Sequence, residues 1–302
     1  MLSVHKPVLL SEMLKALNPE SGGVYVDATF GGGGYTCAIL DVTSCTVVGL
    51  DRDPAALIRA QAFKTNYPDN FRFVQGCFSD IDTLLLPYAP VDGIVFDFGV
   101  SSYQLDEADR GFSFRFDGPL DMRMSQTGIT AADVVNTYSA ENIAQILWSY
   151  GEEPRSRKIA QAIVEARRIK PITTTLQLAN IVRQIVKRTD SLDPATLTFQ
   201  GLRIFVNNEL IEIDKVLRKC LPLLRVGGKI VTVTFQGLED RVVKDWYQSH
   251  RQPNATHPSL MVESVFKKPL SPSFEEVKNN PRARSGKLRA FRVCSTQRTD
   301  IP

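Results

Sequence analysis

The chain has 302 residues, 43% hydrophobic and 23% charged, with a formal net charge of +3. That length and balance are ordinary for a globular protein and predict one or two domains with a sizeable core. No apolar run approaches the ~18 residues that span a bilayer. The opening Met1-Leu2-Ser3-Val4-His5-Lys6-Pro7 lacks the layout of a signal peptide, so a soluble, cytoplasmic protein is expected.

In chain order, Pro7 to Leu17 carries apolar residues at helical spacing. Val24 to Asp27 reads as a short strand that breaks into Gly31-Gly32-Gly33-Gly34, after which Thr36 to Leu40 can begin a helix. Thr46 to Leu50 is a second strand ending on Asp51, and Asp53 with Pro54 can cap and open a helix. Phe71 to Gln75 is a third strand and Ser79 to Leu86 a short helix. Gly93 to Phe96 is apolar enough to be a strand buried on both faces, ending on Asp97.

Strands alternating with helices predict an α/β fold with a doubly wound, mostly parallel sheet. From about Gln104 to Ala195 no strand is evident, but three helical patterns are: Ile143 to Tyr150, Ile159 to Ala166 and Leu176 to Val186. A long helix is then expected from about Thr198 to Leu224, interrupted near Pro222, with Gly227-Gly228 as a turn and Lys229 to Phe235 as the fifth strand. Glu239 to Gln248 reads as helix, and Met261 to Phe266 with Leu288 to Val293 as a closing antiparallel pair. The expected organisation is a Rossmann-like domain over 1–105 and 196–302, with an inserted helical substrate-recognition domain over 106–195.

Strand, glycine turn and helix start form the opening of a nucleotide-binding unit. The dinucleotide pattern G-x-G-x-x-G fails at Thr36 and at Cys37, and Gly228-Lys229 lacks the rest of a phosphate-binding loop. Asp27, the glycine run and Asp51 resemble instead the S-adenosylmethionine (SAM) site of class I methyltransferases. Ligands of open α/β sheets bind beyond the carboxyl ends of the strands, which brings Asp27, Asp51, Gly76-Cys77-Phe78 and Asp97 to one crevice. Asp51 is placed to hold a ribose, and equally to sit at a helix N-terminus. Phe78 is placed to cover an adenine, although its spacing serves a core position as well. Asp97 falls nearest the reacting centre.

Five scattered cysteines with no C-x-x-C pair support neither a metal site nor a disulfide framework. Only three histidines are present, two of them in a loop-like stretch, which argues against a hydrolase triad. Asp97-Phe98-Gly99 lacks the companion motifs of a kinase. Arg110 to Met124 is too charged and glycine-rich for a buried element and too aromatic for an idle loop, so a lid or substrate loop is expected.

Together these stretches resemble the RsmH/MraW family of SAM-dependent methyltransferases. The matching segments are His5 to Leu10, Asp27 to Tyr35, Asp51 to Pro54, Asp97 to Asp106, Arg110 to Met124, Tyr150 to Glu153, Phe199 to Leu210, Leu238 to Arg241 and Asn280 to Ser285. They occur in family order across nearly the whole chain, and the Arg110 to Met124 block is highly specific. The resemblance implies methyl transfer from SAM to the exocyclic N4 of one cytidine in the decoding region of 16S rRNA, within the small ribosomal subunit. It implies cofactor contacts at Gly33, Gly34, Tyr35, Asp51, Phe78, Asp97 and Gln104. Tyr35 stands where the family usually has histidine, and Gln236-Gly237 where it has His-Ser.

Cytosine's exocyclic nitrogen is a poor nucleophile because its lone pair is conjugated with the ring. Catalysis is therefore expected from alignment and from an acceptor near the amine, with Asp97 or a nearby backbone carbonyl as the candidate, and no metal is needed. RNA binding is expected from local charge: Arg282 and Arg284 among six basic residues after Asn280, and Arg155 to Lys170 on the inserted helices, where a solvated helix face is the alternative. Arg110, Arg115 and Arg123 amid Phe112, Phe114 and Phe116 could stack a splayed base. The broken fingerprint argues against a nicotinamide-dependent dehydrogenase. A non-catalytic, RNA-binding ribosome-assembly factor on the same fold is the alternative from another class.

Overall fold

In the computed structural model, residues 7–187 and 193–296 are described. In chain order the elements are α1 (Leu10–Leu17), β1 (Val24–Asp27), α2 (Gly34–Val42), β2 (Thr46–Asp51), α3 (Pro54–Asn66), β3 (Phe71–Gln75), α4 (Ile81–Leu84) and β4 (Val91–Asp97). There follow α5 (Ser102–Asp106), α6 (Ala131–Thr137), α7 (Ala140–Gly151), α8 (Ser156–Ile169), α9 (Thr175–Ile185), α10 (Thr196–Asn207) and α11 (Glu209–Cys220). The chain closes with β5 (Leu224–Thr234), α12 (Gly237–His250), β6 (Leu260–Ser264), α13 (Phe274–Asn279) and β7 (Lys287–Ser295). These elements divide into two compact units, Met1–Gly99 with Leu210–Pro302, and Val100–Glu209.

The first unit is built on a seven-stranded sheet of order β3-β2-β1-β4-β5-β7-β6. The first five strands pair in parallel; β7 runs antiparallel to both β5 and β6. Strand side chains alternate between faces, so Val26, Val48, Ile94, Phe96 and Ile230 enter one core and Tyr25, Val47, Val95, Val231 and Val233 the other. A third cluster, Phe30, Phe63 and Phe71, packs beside the glycine turn. The closing antiparallel pair is present as expected. The expected turn at Gly227-Gly228 is not, because β5 already begins at Leu224 and its pairing with β4 shifts register between Val91 and Gly93. Two paired segments on either side of an irregularity read in sequence as a break.

The second unit is helical, around a core that includes Leu120, Ile143, Leu147, Ile159, Ile163, Leu178, Val182 and Leu202. The long helix expected from Thr198 to Leu224 is two helices. Asn208 stops α10 in the left-handed conformation (φ 52°), and α11 restarts at Glu209. Asparagine tolerates that conformation better than most residues, which lets it end a helix without glycine. The α7 and α10 helices meet at Gly151 and Gly201. A Cβ on Gly151 would stand 2.4 Å from the Leu197 carbonyl oxygen, and one on Gly201 would stand 2.9 Å from the Gly151 nitrogen.

This close approach gives a stability prediction. Gly151→Ala gains helix propensity but forces the two backbones apart, so the net cost is expected to be about 1–3 kcal/mol, read as a lower urea midpoint. An unchanged midpoint would show that the crossing has slack.

Candidate cofactor and catalytic site

The carboxyl ends of β1, β2 and β4 carry Asp27, Asp51 and Asp97, as the crevice rule requires. Each acid is held differently. Asp27 is buried; its carboxylate accepts the Thr36 hydroxyl (2.8 Å) and the Thr36 N–H (3.2 Å), joining β1 to α2 beneath the glycine turn. Burial pushes its pKa up to about 6 against the pull of those bonds, and the Asp51 charge adds to the rise.

Asp51 Oδ2 accepts the Gly31 N–H at 2.7 Å, and Oδ1 accepts the Asp53 N–H at 2.8 Å. Asp51 thus takes the helix N-terminal role at the entry to α3 and at the same time grips the glycine turn. On the other side of Gly31, Arg59 Nε donates to the carbonyl at 2.7 Å. Burial raises the Asp51 pKa, while these N–H groups and Arg59 oppose the rise. Gly33 has φ 76°, and a Cβ there would lie 2.4 Å from the Phe63 ring, so this position needs glycine for conformation and for space. Gly34 is the first residue of α2, where first-turn N–H groups lack helix acceptors.

Tyr35 turns its side chain away from the crevice. The ring is buried and the hydroxyl donates to the Val8 carbonyl. Burial, then the charges of Asp97 and Asp27, raise its pKa well above the usual phenol value. Any contact of Tyr35 with a ligand is therefore left to its backbone. Phe78 lies half-buried after β3, edge-on to Phe96 and Phe98 at ring separations of 6.4 and 5.9 Å. It packs on the core and keeps part of its surface exposed.

Asp97 is the least satisfied of the three acids. Its backbone N–H donates to Thr29 Oγ1 at 2.7 Å, but its carboxylate Oδ1 is buried with no hydrogen-bond partner. Burial pushes its pKa up to about 8, and the charges acting on it, Asp27 and Glu239, are both negative. Glu239, on the first turn of α12, is fully buried and accepts the N–H groups of Phe235 (2.8 Å) and Gln236 (3.1 Å). Sequence reasoning had not placed Glu239, Arg59 or Gln236 at this edge. The one available signal was the Leu238 to Arg241 segment, whose acid at helix position three suggests a cap rather than a buried site. The arrangement suits a ligand with a cationic end at Asp97, a vicinal diol at Asp51 and a flat ring over Phe78.

The remaining expected residues lie in the second unit or, in the first, in the turn before β7, whose first residue Lys287 pairs with Thr234 at the end of β5. Gln104 is buried on α5, where its Oε1 accepts the Ser101 N–H (3.0 Å) in a reciprocal cap. In the Arg110 to Met124 stretch, most of the expected RNA contacts are structural. Arg110 donates to the carbonyls of Arg123 (3.0 Å) and Met124 (3.1 Å), and Arg123 forms a two-pronged ion pair with Asp121 (2.9 and 2.7 Å). Phe112 is buried in the helical core, and Phe114 packs edge-on against Phe199 at 4.8 Å. Phe112 is thus corrected from a base-stacking residue to a core residue. Arg115 and Phe116 are exposed, Phe116 to 65%. In the first unit, Arg284 is exposed and Arg282 half-exposed in the turn before β7. Arg298, one of the six basic residues after Asn280, lies outside the described residues, as do His5 and Lys6. Among the described residues, no three His, Cys, Asp or Glu side chains cluster to hold a metal ion, and no helix is long and apolar enough to cross a membrane.

A parallel sheet with one antiparallel strand between β5 and β6, and acids at the ends of β1, β2 and β4 around a glycine turn, defines a Rossmann-like methyltransferase. The chain belongs to the MraW methylase family, whose model matches residues 2–294. It is similar to proteins named ribosomal RNA small subunit methyltransferase H. That of Rhodospirillum rubrum is 44% identical over 100% of this chain and 96% of its own length. The Gluconobacter oxydans protein is 49% identical (97% of this chain, 94% of its own), and that of Neorickettsia sennetsu is 51% identical (95% and 95%).

The Asp97 carboxyl makes a testable demand on stability. Its folded pKa, about 8, lies above the unfolded value of about 3.9, so the folded state retains the proton and stability falls as pH rises between the two. Asp97→Asn removes that loss. It is expected to raise Tm at pH 8.5 and to leave Tm at pH 4 nearly unchanged; equal shifts at both pH values would contradict the buried charge.

Proposed function

We propose that this methylase transfers a methyl group from SAM to the exocyclic N4 of one cytidine in the decoding region of 16S rRNA, on the small ribosomal subunit in the cytoplasm. The observation that carries the cofactor and the chemistry is Asp97: a buried acid with an open acceptor atom at the end of β4, one strand from Asp27 and two from Asp51. The names of the relatives support the ribosomal substrate.

SAM supplies a methyl group already activated on a sulfonium. Asp51, fixed by Gly31 and Asp53, receives the ribose hydroxyls on its remaining lone pairs. Phe78 covers the adenine. The backbone of Gly33, Gly34 and Tyr35 lines the turn. The negative edge formed by Asp27, Asp97 and Glu239 favours the cationic cofactor and repels its anionic competitors. A cationic cofactor beside Asp97 favours its ionised form, and the carboxylate then receives the proton that the methylated amine must lose, a task suited to an acid whose pKa lies near 8. Alignment of the amine with the methyl supplies the remainder of the rate. The helical insert over 106–195 serves substrate recognition. There Arg115 and Phe116 remain on the surface for RNA, with Arg282 and Arg284 on the methyltransferase domain.

Incubation with labelled SAM and small subunits lacking the modification tests the reading, with the product mapped by nuclease digestion and mass spectrometry. N4-methylcytidine at one decoding-region position is the expected outcome; SAM binding without transfer would point to a non-catalytic assembly factor. Asp51→Ala should weaken SAM binding by about 1.5–3 kcal/mol in calorimetry, the worth of a hydrogen bond to a charged group. Unchanged affinity would remove Asp51 from the ribose site.

A further inference from the structure

RNA carries a phosphate at every nucleotide, so a surface that seats one base beside Asp97 must also seat the anionic chain that flanks it. That task needs cations held in place and in excess of the acids that hold them. A lysine or arginine balanced one to one by a carboxylate has little charge left to offer.

Asp240, on the first turn of α12, gathers such a group. Its carboxylate is buried. Arg289 Nε donates to Oδ1 at 2.7 Å and Arg289 Nη2 to Oδ2 at 3.3 Å, while the ammonium groups of Lys244 and Lys287 stand 3.8 and 3.9 Å from Oδ2. One acid therefore anchors three cations, a surplus of two positive charges. Burial pulls the Asp240 pKa up, but the Arg289 hydrogen bond and the charges of Arg289, Lys287 and Lys244 outweigh it and hold the group below its usual value. The anchor is thus ionised at neutral pH. Both lysines are about half exposed. At their distances they feel the charge of Asp240 without a hydrogen bond to it, so their N–H donors remain for another anion. Arg241, beside Asp240, and Arg284, three residues before Lys287, are exposed as well. Of the nearby acids on α12, Glu239 is buried on backbone N–H groups, and Asp245 lies about 140° around the helix from Asp240.

The group sits at the edge that carries Asp97. Thr232 of β5 is in register with Phe96 on one side and Arg289 on the other, and Thr234, at the end of β5, is in register with Lys287. Arg289 is thus two strands from the residue before Asp97, about 10 Å at the spacing of hydrogen-bonded strands. The other end of β7 is different. Arg292 is in register with Lys229, and its guanidinium is paired with Glu263 at 2.8 Å. We infer that Lys244, Lys287 and Arg289, gathered on Asp240, bind a backbone phosphate of the target RNA next to the cytidine being methylated. The inference rests on the function proposed above and names the part of the substrate that this edge holds. A phosphate contact carries no base information; it fixes the register of the strand, which places one cytidine rather than its neighbour at Asp97.

The test compares Lys244→Gln and Lys287→Gln with two controls: Lys287→Arg, which keeps the charge, and Arg292→Gln, which removes a charge from the paired end of the same strand. Binding to small subunits lacking the modification is measured between about 50 and 200 mM salt, together with SAM affinity and Tm. Each lysine-to-glutamine change is expected to weaken binding about threefold to tenfold and to reduce the slope of log K against log salt by about 1, with SAM affinity and Tm unchanged. Lys287→Arg and Arg292→Gln should keep the wild-type slope. A wild-type slope in either lysine-to-glutamine variant would overturn the inference. So would an equal reduction in Arg292→Gln, because the effect would then come from overall charge. Absence of N4 methylation by the wild-type protein is a separate result: it would remove the proposed function, and the salt slope would still decide the phosphate contact.

Discussion

The constraint on which the first unit turns is the burial of negative charge at one edge of its sheet. Asp27, Asp97 and Glu239 lie there with acids, not bases, acting on Asp97. Uncompensated carboxylates are expensive in a low-dielectric interior, and the protein meets that expense with protons and backbone N–H groups. Asp27 is served by Thr29 and Thr36, Glu239 by Phe235 and Gln236. Asp97 keeps an oxygen unserved. A site so built gains stability when a cationic ligand binds, since binding couples to the folded state by mass action.

The same edge explains how the glycine turn tolerates a change beside it. Gly31 is gripped through its N–H by Asp51 and through its carbonyl by Arg59, so the turn does not depend on the side chain at position 35. Tyr35 uses its bulk in the core and its hydroxyl on Val8, tying α2 to the segment that leads into α1. Tyr35 thus serves as an internal brace, and only its backbone is left to the glycine turn.

In the second unit, the loop between Arg110 and Met124 is organised by its own charges. Arg110 and Arg123 close it from within, Asn207 receives the Met124 N–H at 2.8 Å and donates to the Met122 carbonyl at 2.7 Å, and Thr175 Oγ1 donates to the Phe116 carbonyl at 3.2 Å. Much of this distinctive motif therefore specifies a rigid loop, and of its arginines and phenylalanines only Arg115 and Phe116 are exposed. Rigidity of that kind suits recognition, because little conformational entropy is lost when a partner binds.

The sequence alone determined the alternation of strands and helices, the acids at the strand ends and the glycine turn, because these depend on local periodicity and on residues with narrow conformational uses. It also placed the helical stretch after Asp97. The tertiary structure decided what local pattern could not: that Asn208 divides one apparent helix into two, that β5 starts before its glycines, and that Phe112 and Arg123 face inward. It also decided that Glu239 comes to the end of β4. The last depends on which neighbour a side chain finds across the fold, and a neighbour more than a hundred residues away leaves no trace in the spacing of a single chain.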